Sequence, residues 1–500
     1  MKLKKIFIVL LLIILCIGCA SAVSAYSDVD NNMSKIDDSN INLGDIVDTE
    51  DIDSTVLREA SVETDNSKLG VDNNDDNVLK LSPYKQFCND LEENSGTIYL
   101  DEDIKITSPF IITEKTVIDG KGHTIDAQHK THIFENYAPL TLKNIILKNG
   151  KSKTGGAILA VHGNLYVNKC EFIDNIATEC GGAIFSIGKL TIKDSTFTGN
   201  SAKDTGGAVY ITKGHLSITN SKFKNNYIES GKSVGYGGAL GILKSSSQIT
   251  GTTFKSNGCI SKSLKSHSKA TKYKFNGGAI AYSDGTSHYL TDCTFYGNKA
   301  STHGGSIFVA RTNSLKINKC NFNKNRAVYE DGGAISFAGK KMAVTNTKFT
   351  NNLAFEDGGA IDSYSMTGKK IYITIKKSTF ESNTAYKCAG AIWMGVKTGY
   401  TIENSKFIKN KATNAGAIEA ESGTTKITKC TFKSNKAAKI TSWVVKTKSG
   451  ARLSHCGGAI VIKNSCTITK STFQGNKATY GNSVKVEGGK LTSKGNKGIK

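Results

Sequence analysis

STFTGNSAKDTGGAVY, residues 195–210, joins two signatures: Phe197-x-x-Asn200 and, six residues after that Asn, Gly206-Gly207-Ala208-Val209. The first signature recurs as Phe172/Asn175, Phe197/Asn200, Phe223/Asn226, Phe254/Asn257, Phe295/Asn298, Phe322/Asn325, Phe349/Asn352, Phe380/Asn383, Phe407/Asn410, Phe432/Asn435 and Phe473/Asn476. The second starts at Gly155, Gly181, Gly206, Gly237, Gly277, Gly304, Gly332, Gly358 and Gly457, with looser versions at Ala389, Ala415 and Gly481. Most spacings are 24 to 28 residues, and a period in that range marks stacked supersecondary units. Between the markers apolar residues alternate, as in Leu190-Thr-Ile192 and Leu216-Ser-Ile218, which is the period of a strand and not of a helix.

Three short strands and three turns fill about 25 residues and close one triangular coil, on which the next stacks at roughly 4.8 Å. The expected fold is therefore all-β, a parallel β-helix of about fourteen coils, roughly 65 Å long. Each marker then has a cause. Gly-Gly supplies a corner that other residues enter at a cost. Phe points inward and stacks on the Phe of the next coil. Asn is expected to take the left-handed conformation at a second corner and to bond the equivalent Asn one coil away. Five to seven residues usually separate Asn from the next Gly-Gly, but the interval lengthens between Asn257 and Gly277 and between Asn435 and Gly457, so insertions leave from one edge.

The flanks differ from the repeats. MKLKK, then IFIVLLLIILCIG and a run of small residues, has the layout of a secretory signal over residues 1–25. Ile17-Gly18-Cys19 resembles a lipoprotein cleavage box, which would lipidate Cys19 and give a membrane anchor. Residues 26–80 hold fifteen acidic and four basic side chains and no aromatic after Tyr26, the composition of a disordered tether. Residues 81–115 read as cap and first coil, with Tyr84, Phe87, Cys88 and Leu91 on one face of a short helix that closes the stack; residues 116–500 read as the helix of coils. The chain carries a net charge of +22, concentrated after residue 80. That charge keeps a flat solenoid soluble, or draws it to acidic polymers. A secretory signal and the lack of any base-reading motif exclude nucleic acid in favour of wall glycans or a partner-cell envelope. Of the twelve cysteines, Cys170, Cys293, Cys320 and Cys430 precede the Phe by two residues, and Cys180, Cys388 and Cys456 directly precede a Gly-Gly-Ala or its variant. They are expected to be small, buried, free thiols, a state suited to an anoxic habitat.

The GGA[ILV] and FxxN motifs resemble those of the right-handed β-helices of the pectin-lyase-like group and, within it, the polymorphic outer-membrane-protein repeat. The similarity covers residues 155–484, and TVIDGKGHTIDAQ with LTLKNIILKNG in 116–149 looks like opening coils of the same group. The chain especially resembles adhesin-like proteins of methanogenic archaea. That resemblance implies a surface-exposed adhesive protein, without naming a ligand. The bacterial members of the outer-membrane group end in a transporter barrel, whereas this sequence ends in SKGNKGIK, which leaves its attachment open.

Glu330-Asp331 and Glu356-Asp357 precede consecutive Gly-Gly-Ala corners, where four carboxylates would suit Ca²⁺ or simply form a solvated acidic turn. The position two after the Ala holds Phe185, Tyr210, Phe308 and Trp393. Facing outward, these rings could stack on sugars, unless turns cover them. Enzymes on such coils cluster Asp with Arg, Lys or His, whereas Asp is sparse here and His123 and His162 read as surface residues, so no catalysis and no firm cofactor is expected. The competing expectations are a polysaccharide lyase or glycoside hydrolase and a purely structural coat.

Overall fold

The computed structural model describes residues 81–499, apart from residue 95 and residues 230–233, 262–273, 439–456 and 480–482. The signal, the acidic tether, Cys19, Cys456 and most lysines of the two insertions lie outside the described residues.

A coil contains four strands, one more than expected. In the coil that opens at Gly304 they are Ile307–Ala310, Ser314–Asn318, Asn321–Asn323 and Arg326–Ala327. First and second strands share a 27-stranded sheet, third strands form a 14-stranded sheet, and fourth strands form a 12-stranded sheet. First and second strands join one sheet because they run on unbroken in Ile184–Lys193 and Val209–Thr219. All named pairings are parallel, and fourteen third strands correspond to about thirteen full turns. Helix α1, Pro83–Glu93, caps the first coil: Phe87 is buried with its ring edge-on to Phe110 at 5.1 Å, and Cys88 and Leu91 pack on the core. Tyr84 sits at the rim, 6.1 Å from Phe110.

One apolar core runs from Phe87 to Phe473. Its axis is the column of repeat phenylalanines, paired Phe172↔Phe197↔Phe223 and onward to Phe432↔Phe473. Successive rings lie 4.5 Å apart at Phe172–Phe197 and 5.1 Å apart at Phe223–Phe254, near parallel in both cases.

The Asn ladder runs beside it, and the expected amide pairing is present throughout. Asn325 shows the rule: its Oδ1 accepts from Asn298 N–H and Asn298 Nδ2 at 3.0 Å each, while its Nδ2 donates to Phe295 O and to Asn352 Oδ1, again at 3.0 Å each. Every hydrogen-bonding valence of the buried amide is thereby used. The ladder starts at Asn175, whose Oδ1 accepts from Gly150 N–H at 2.8 Å and whose Nδ2 donates to Asn200 Oδ1 at 2.9 Å. Asn226 Nδ2 continues it to Asn257 Oδ1, and Asn383 Nδ2 donates to Asn410 Oδ1, each at 3.0 Å. It ends at the half-buried Asn476, whose Oδ1 accepts from Asn435 Nδ2 at 2.9 Å.

The expected backbone of these residues is corrected. None of Asn175, Asn200, Asn226, Asn298, Asn325, Asn352, Asn383, Asn410, Asn435 and Asn476 takes the left-handed conformation. That corner lies one residue earlier, at Asp174, Gly199, Asn225, Gly297, Lys324, Asn351, Ser382, Lys409, Ser434 and Gly475. The Asn needs ordinary backbone so that its amide can lie along the stacking direction and turn into the coil. Its neighbour makes the turn facing out, where no particular side chain is required.

A second polar ladder fills the corner between second and third strands. Ser195 Oγ accepts from Cys170 N–H at 3.0 Å and donates to Lys193 O at 2.7 Å. Cysteines occupy the same rung elsewhere, so that Cys293 N–H points at Cys320 Sγ at 3.4 Å. The described thiols are unbridged and, Cys88 apart, buried; burial pushes the Cys170 thiol up to about 12.

The two glycines of each Gly-Gly have different reasons. Gly332 has φ +69°, while Gly333 faces the next coil, where a Cβ would stand 2.2 Å from Gly359 O. The first answers a conformation, the second a close approach.

A buried acidic seam and its coils

The residue before each Gly-Gly stacks on its equivalent: Gly304 N–H donates to Asp331 O, Gly332 N–H to Asp357 O, and Gly358 N–H to Cys388 O, each at 3.0 Å. His303, Asp331, Asp357 and Cys388 therefore form one column. The outward positions of the first strands form a second column, Phe308↔Ser336↔Asp362↔Trp393↔Glu419↔Val461. The corner folds over this second column. Ala415 packs on Val461 one coil later, and the Thr205 methyl lies so close to Gly241 that a Cβ there would meet it at 2.3 Å.

The two columns enclose a seam of charge. His303 Nε2 lies 2.7 Å from Glu330 Oε2, and His303 Nδ1 lies 3.8 Å from Asp331 Oδ2. Asp331 Oδ1 accepts from Asp357 N–H at 2.8 Å, and Asp357 Oδ1 accepts from Cys388 N–H at 2.9 Å. Lys387 Nζ bridges Glu356 at 2.9 Å and Asp357 at 3.5 Å. Further along, Lys463 joins the fully buried Glu419 at 2.7 Å and Glu421 at 2.6 Å. Asp362 is fully buried and accepts from Ser336 Oγ at 3.0 Å.

Ligating atoms of two groups, His303/Asp331/Asp362 and Asp331/Glu356/Asp357, lie within 4.8 Å of one another. The four carboxylates expected to converge do so only in part, because Glu330 turns to His303 instead. Nor is the corner a solvated turn: Asp357 is buried and the other three are half-buried. In the second group Lys387 already supplies positive charge. The sequence reading missed His303 and Asp362. Their signal was present, since His303 occupies the pre-Gly-Gly column one coil before Asp331, and Asp362 shares the column of the candidate aromatics. His123 and His162 lie far outside the seam in sequence, and His123 Nδ1 stands 3.3 Å from Asp103 Oδ1 near the first coil.

The sequence pattern described as right handed beta helix region matches residues 183–374 and 278–499, together more than half the chain. The chain belongs to the right-handed β-helix family. Within this right-handed β-helix, residues 169–187 match the Chlamydia polymorphic membrane protein repeat, the span from Cys170 through the Phe172/Asn175 pair to the Gly181 corner. No curated protein matches the chain. Among the described residues no helix is long and apolar enough to cross a membrane.

On the right-handed β-helix the candidate sugar-stacking rings face away from the core but are covered, the second of the two arrangements expected for them. Phe185, Tyr210 and Phe308 are buried and Trp393 half-buried. Phe185 stacks on Tyr210 at 5.3 Å, and Phe308 lies 6.3 Å from Tyr236 and 6.4 Å from His303. These rings do point away from the central core, but the folded-over corner covers them. Exposed rings lie elsewhere: Tyr289 and Tyr372, 41% and 52% exposed, on second strands, besides Tyr84, Tyr99 and Tyr227.

The seam makes stability depend on pH. Burial disfavours the His303 charge, but Glu330, Asp331 and Asp362 outweigh it and raise the imidazole to about 9. Burial pushes Asp331 up to about 6, against the pull of His303 and with repulsion from Glu356 and Glu330. Both folded values exceed the ordinary 6.5 and 3.8, so each contribution is complete below the ordinary value and is lost as pH rises through the folded one. With a chelator present, the melting temperature is expected to fall between about pH 4 and 9. The histidine part is worth at most about 3 kcal/mol, and His303→Gln should flatten the upper half of the curve. A flat wild-type profile would show that His303 is not held charged.

Proposed function

We propose that the protein is an exported, surface-displayed, adhesin-like β-helix that holds acidic wall polysaccharide without cleaving it. The observation that carries this reading is the pairing of exposed tyrosine with lysine on its outer faces. Lys316 Nζ stands 5.1 Å from the Tyr289 ring centre and Lys370 Nζ 5.5 Å from that of Tyr372, while Lys255 and Lys324 flank the half-buried Tyr296 at 5.9 and 5.8 Å. A ring offers an apolar face to a sugar, and an adjacent ammonium offers a partner to a uronate or phosphate. The net charge of +22 adds long-range attraction. The match to a membrane-protein repeat supports a surface location.

The competing reading, a polysaccharide lyase or glycoside hydrolase, draws on the His303, Asp331 and Asp362 cluster. A catalytic acid must come within hydrogen-bond reach of a glycosidic oxygen, and Asp362 has no exposed surface. The test is retention of the protein on polygalacturonate and on neutral dextran at two salt concentrations, with an assay for new chain ends. Salt-sensitive retention on the acidic polymer alone, weakened at least about fivefold by Tyr289→Ala/Lys316→Ala, is expected. New chain ends would replace this reading with the enzymatic one, and no retention on either polymer would leave a structural coat.

A further inference from the structure

We propose that His303, Asp331 and Asp362 form a binding site for a divalent transition ion of the Zn²⁺ class, clipping three consecutive coils together. His303 precedes the corner at Gly304, Asp331 the corner at Gly332, and Asp362 lies on the first strand after Gly358. The coil stack thus brings together side chains distant in sequence, with one ligating atom from each inside a 4.8 Å circle.

The donors are prepared as metal ligands are. Glu330 Oε2 sits 2.7 Å from His303 Nε2; a carboxylate holding the Nε2–H leaves Nδ1 as the ligating nitrogen once the ion displaces its proton, the outer-shell arrangement that orients ligating imidazoles. His303 Nδ1 makes no hydrogen bond. The Asp362 side chain is fully buried; its Oδ2 takes the Ser336 hydroxyl, and its Oδ1 has no hydrogen-bond partner. Asp331 gives Oδ1 to Asp357 N–H and turns Oδ2 toward the imidazole at 3.8 Å. A buried carboxylate oxygen and a buried ring nitrogen without hydrogen-bond partners are costly, and one cation held by both residues would satisfy them.

The donor set decides the ion. Ca²⁺ takes six to eight oxygens, whereas one imidazole nitrogen with two carboxylates suits Zn²⁺ and its neighbours, with a fourth position for water. The adjoining Asp331/Glu356/Asp357 group is the poorer site, since the Lys387 ammonium already stands at 2.9 Å from Glu356.

The experiment is calorimetric titration of the chelator-stripped protein, kept reduced, with ZnCl₂ and separately with CaCl₂, on wild type, His303→Gln, Asp362→Asn and Glu330→Gln. One tight Zn²⁺ equivalent is expected in wild type, weakened at least about 100-fold by either ligand substitution and about 10- to 100-fold by Glu330→Gln. Ca²⁺ should not compete. Far-UV circular dichroism checks that each variant folds. Should a ligand variant fail to fold, Co²⁺ added to wild type decides instead: visible bands of an oxygen- and nitrogen-ligated ion are expected, and a spectrum of thiolate ligation, or none, overturns the site. Zn²⁺ affinity unchanged in folded variants, or preferential Ca²⁺ binding, overturns it equally.

Discussion

Asn325→Ala is expected to destabilise the coil stack by about 3–5 kcal/mol, although it deletes one small polar side chain. The magnitude follows from what remains behind. Asn298 N–H and Asn298 Nδ2 both lose the Oδ1 that accepts them at 3.0 Å, and Phe295 O loses its donor. All lie in the buried interior, where an orphaned donor costs about 1–3 kcal/mol. Asn325→Asp should recover little: it restores an acceptor for Asn298 but turns a second oxygen toward Phe295 O and Asn352 Oδ1, which offer only lone pairs. Denaturant unfolding followed by tryptophan fluorescence and by circular dichroism measures the loss, and hydrogen exchange at Asn298 and Asn325 locates it. A cost under about 1 kcal/mol would mean that water enters the ladder freely.

Gly333→Ala should be worse, beyond about 4 kcal/mol, the range reserved for steric conflicts that cannot relax. The new Cβ would stand 2.2 Å from Gly359 O and 2.7 Å from Leu353 N and C. Both obstacles are backbone, Gly359 on the next coil and Leu353 on the fourth strand of the same coil, so no side chain can swing aside, and relief requires the backbone layers to part. The first glycine of the pair is less demanding. Ala389 takes that position with φ 61°, whereas every described coil from Gly156 to Gly458 keeps glycine in the second. A control is Gly368→Ala, where φ is +69° but the Cβ would meet only Lys397 Nζ at 3.4 Å; about 1 kcal/mol is expected there. Equal effects at Gly333 and Gly368 would show that backbone conformation, not coil spacing, sets the requirement.

The parts of this fold that repeat were legible, because a repeat displays the same physical demand many times. Phe322 and its ten equivalents announce a column, and the column, the inward orientation and the amide pairing all follow. Local geometry was less so. Tolerance of the left-handed conformation points to Asn for the corner, yet Lys324 and Asp174 adopt it, since a corner residue needs no particular side chain while a ladder residue does. The seam was hidden for another reason. Alternation along Ile184-Phe185-Ser186 distinguishes two faces but does not say whether the second meets water; that depends on Thr205 and Ala415 folding back over the strand. Two acid pairs on consecutive coils were visible as a candidate site. Asp362, lying in a column read as outward, and His303, one coil earlier, become its partners only once that cover is in place.

The direction of the hydrogen bonds also has a mechanical consequence. Backbone and amide bonds alike run between coils, along the stacking direction, and the strands of each coil pair only with those of its neighbours. Tension applied at one end therefore loads one inter-coil layer at a time, opening it like a zipper instead of shearing the whole stack at once. Under load such a body lengthens by releasing single coils, dissipating work at each step while the remaining stack keeps its register, and it can rewind when the force drops.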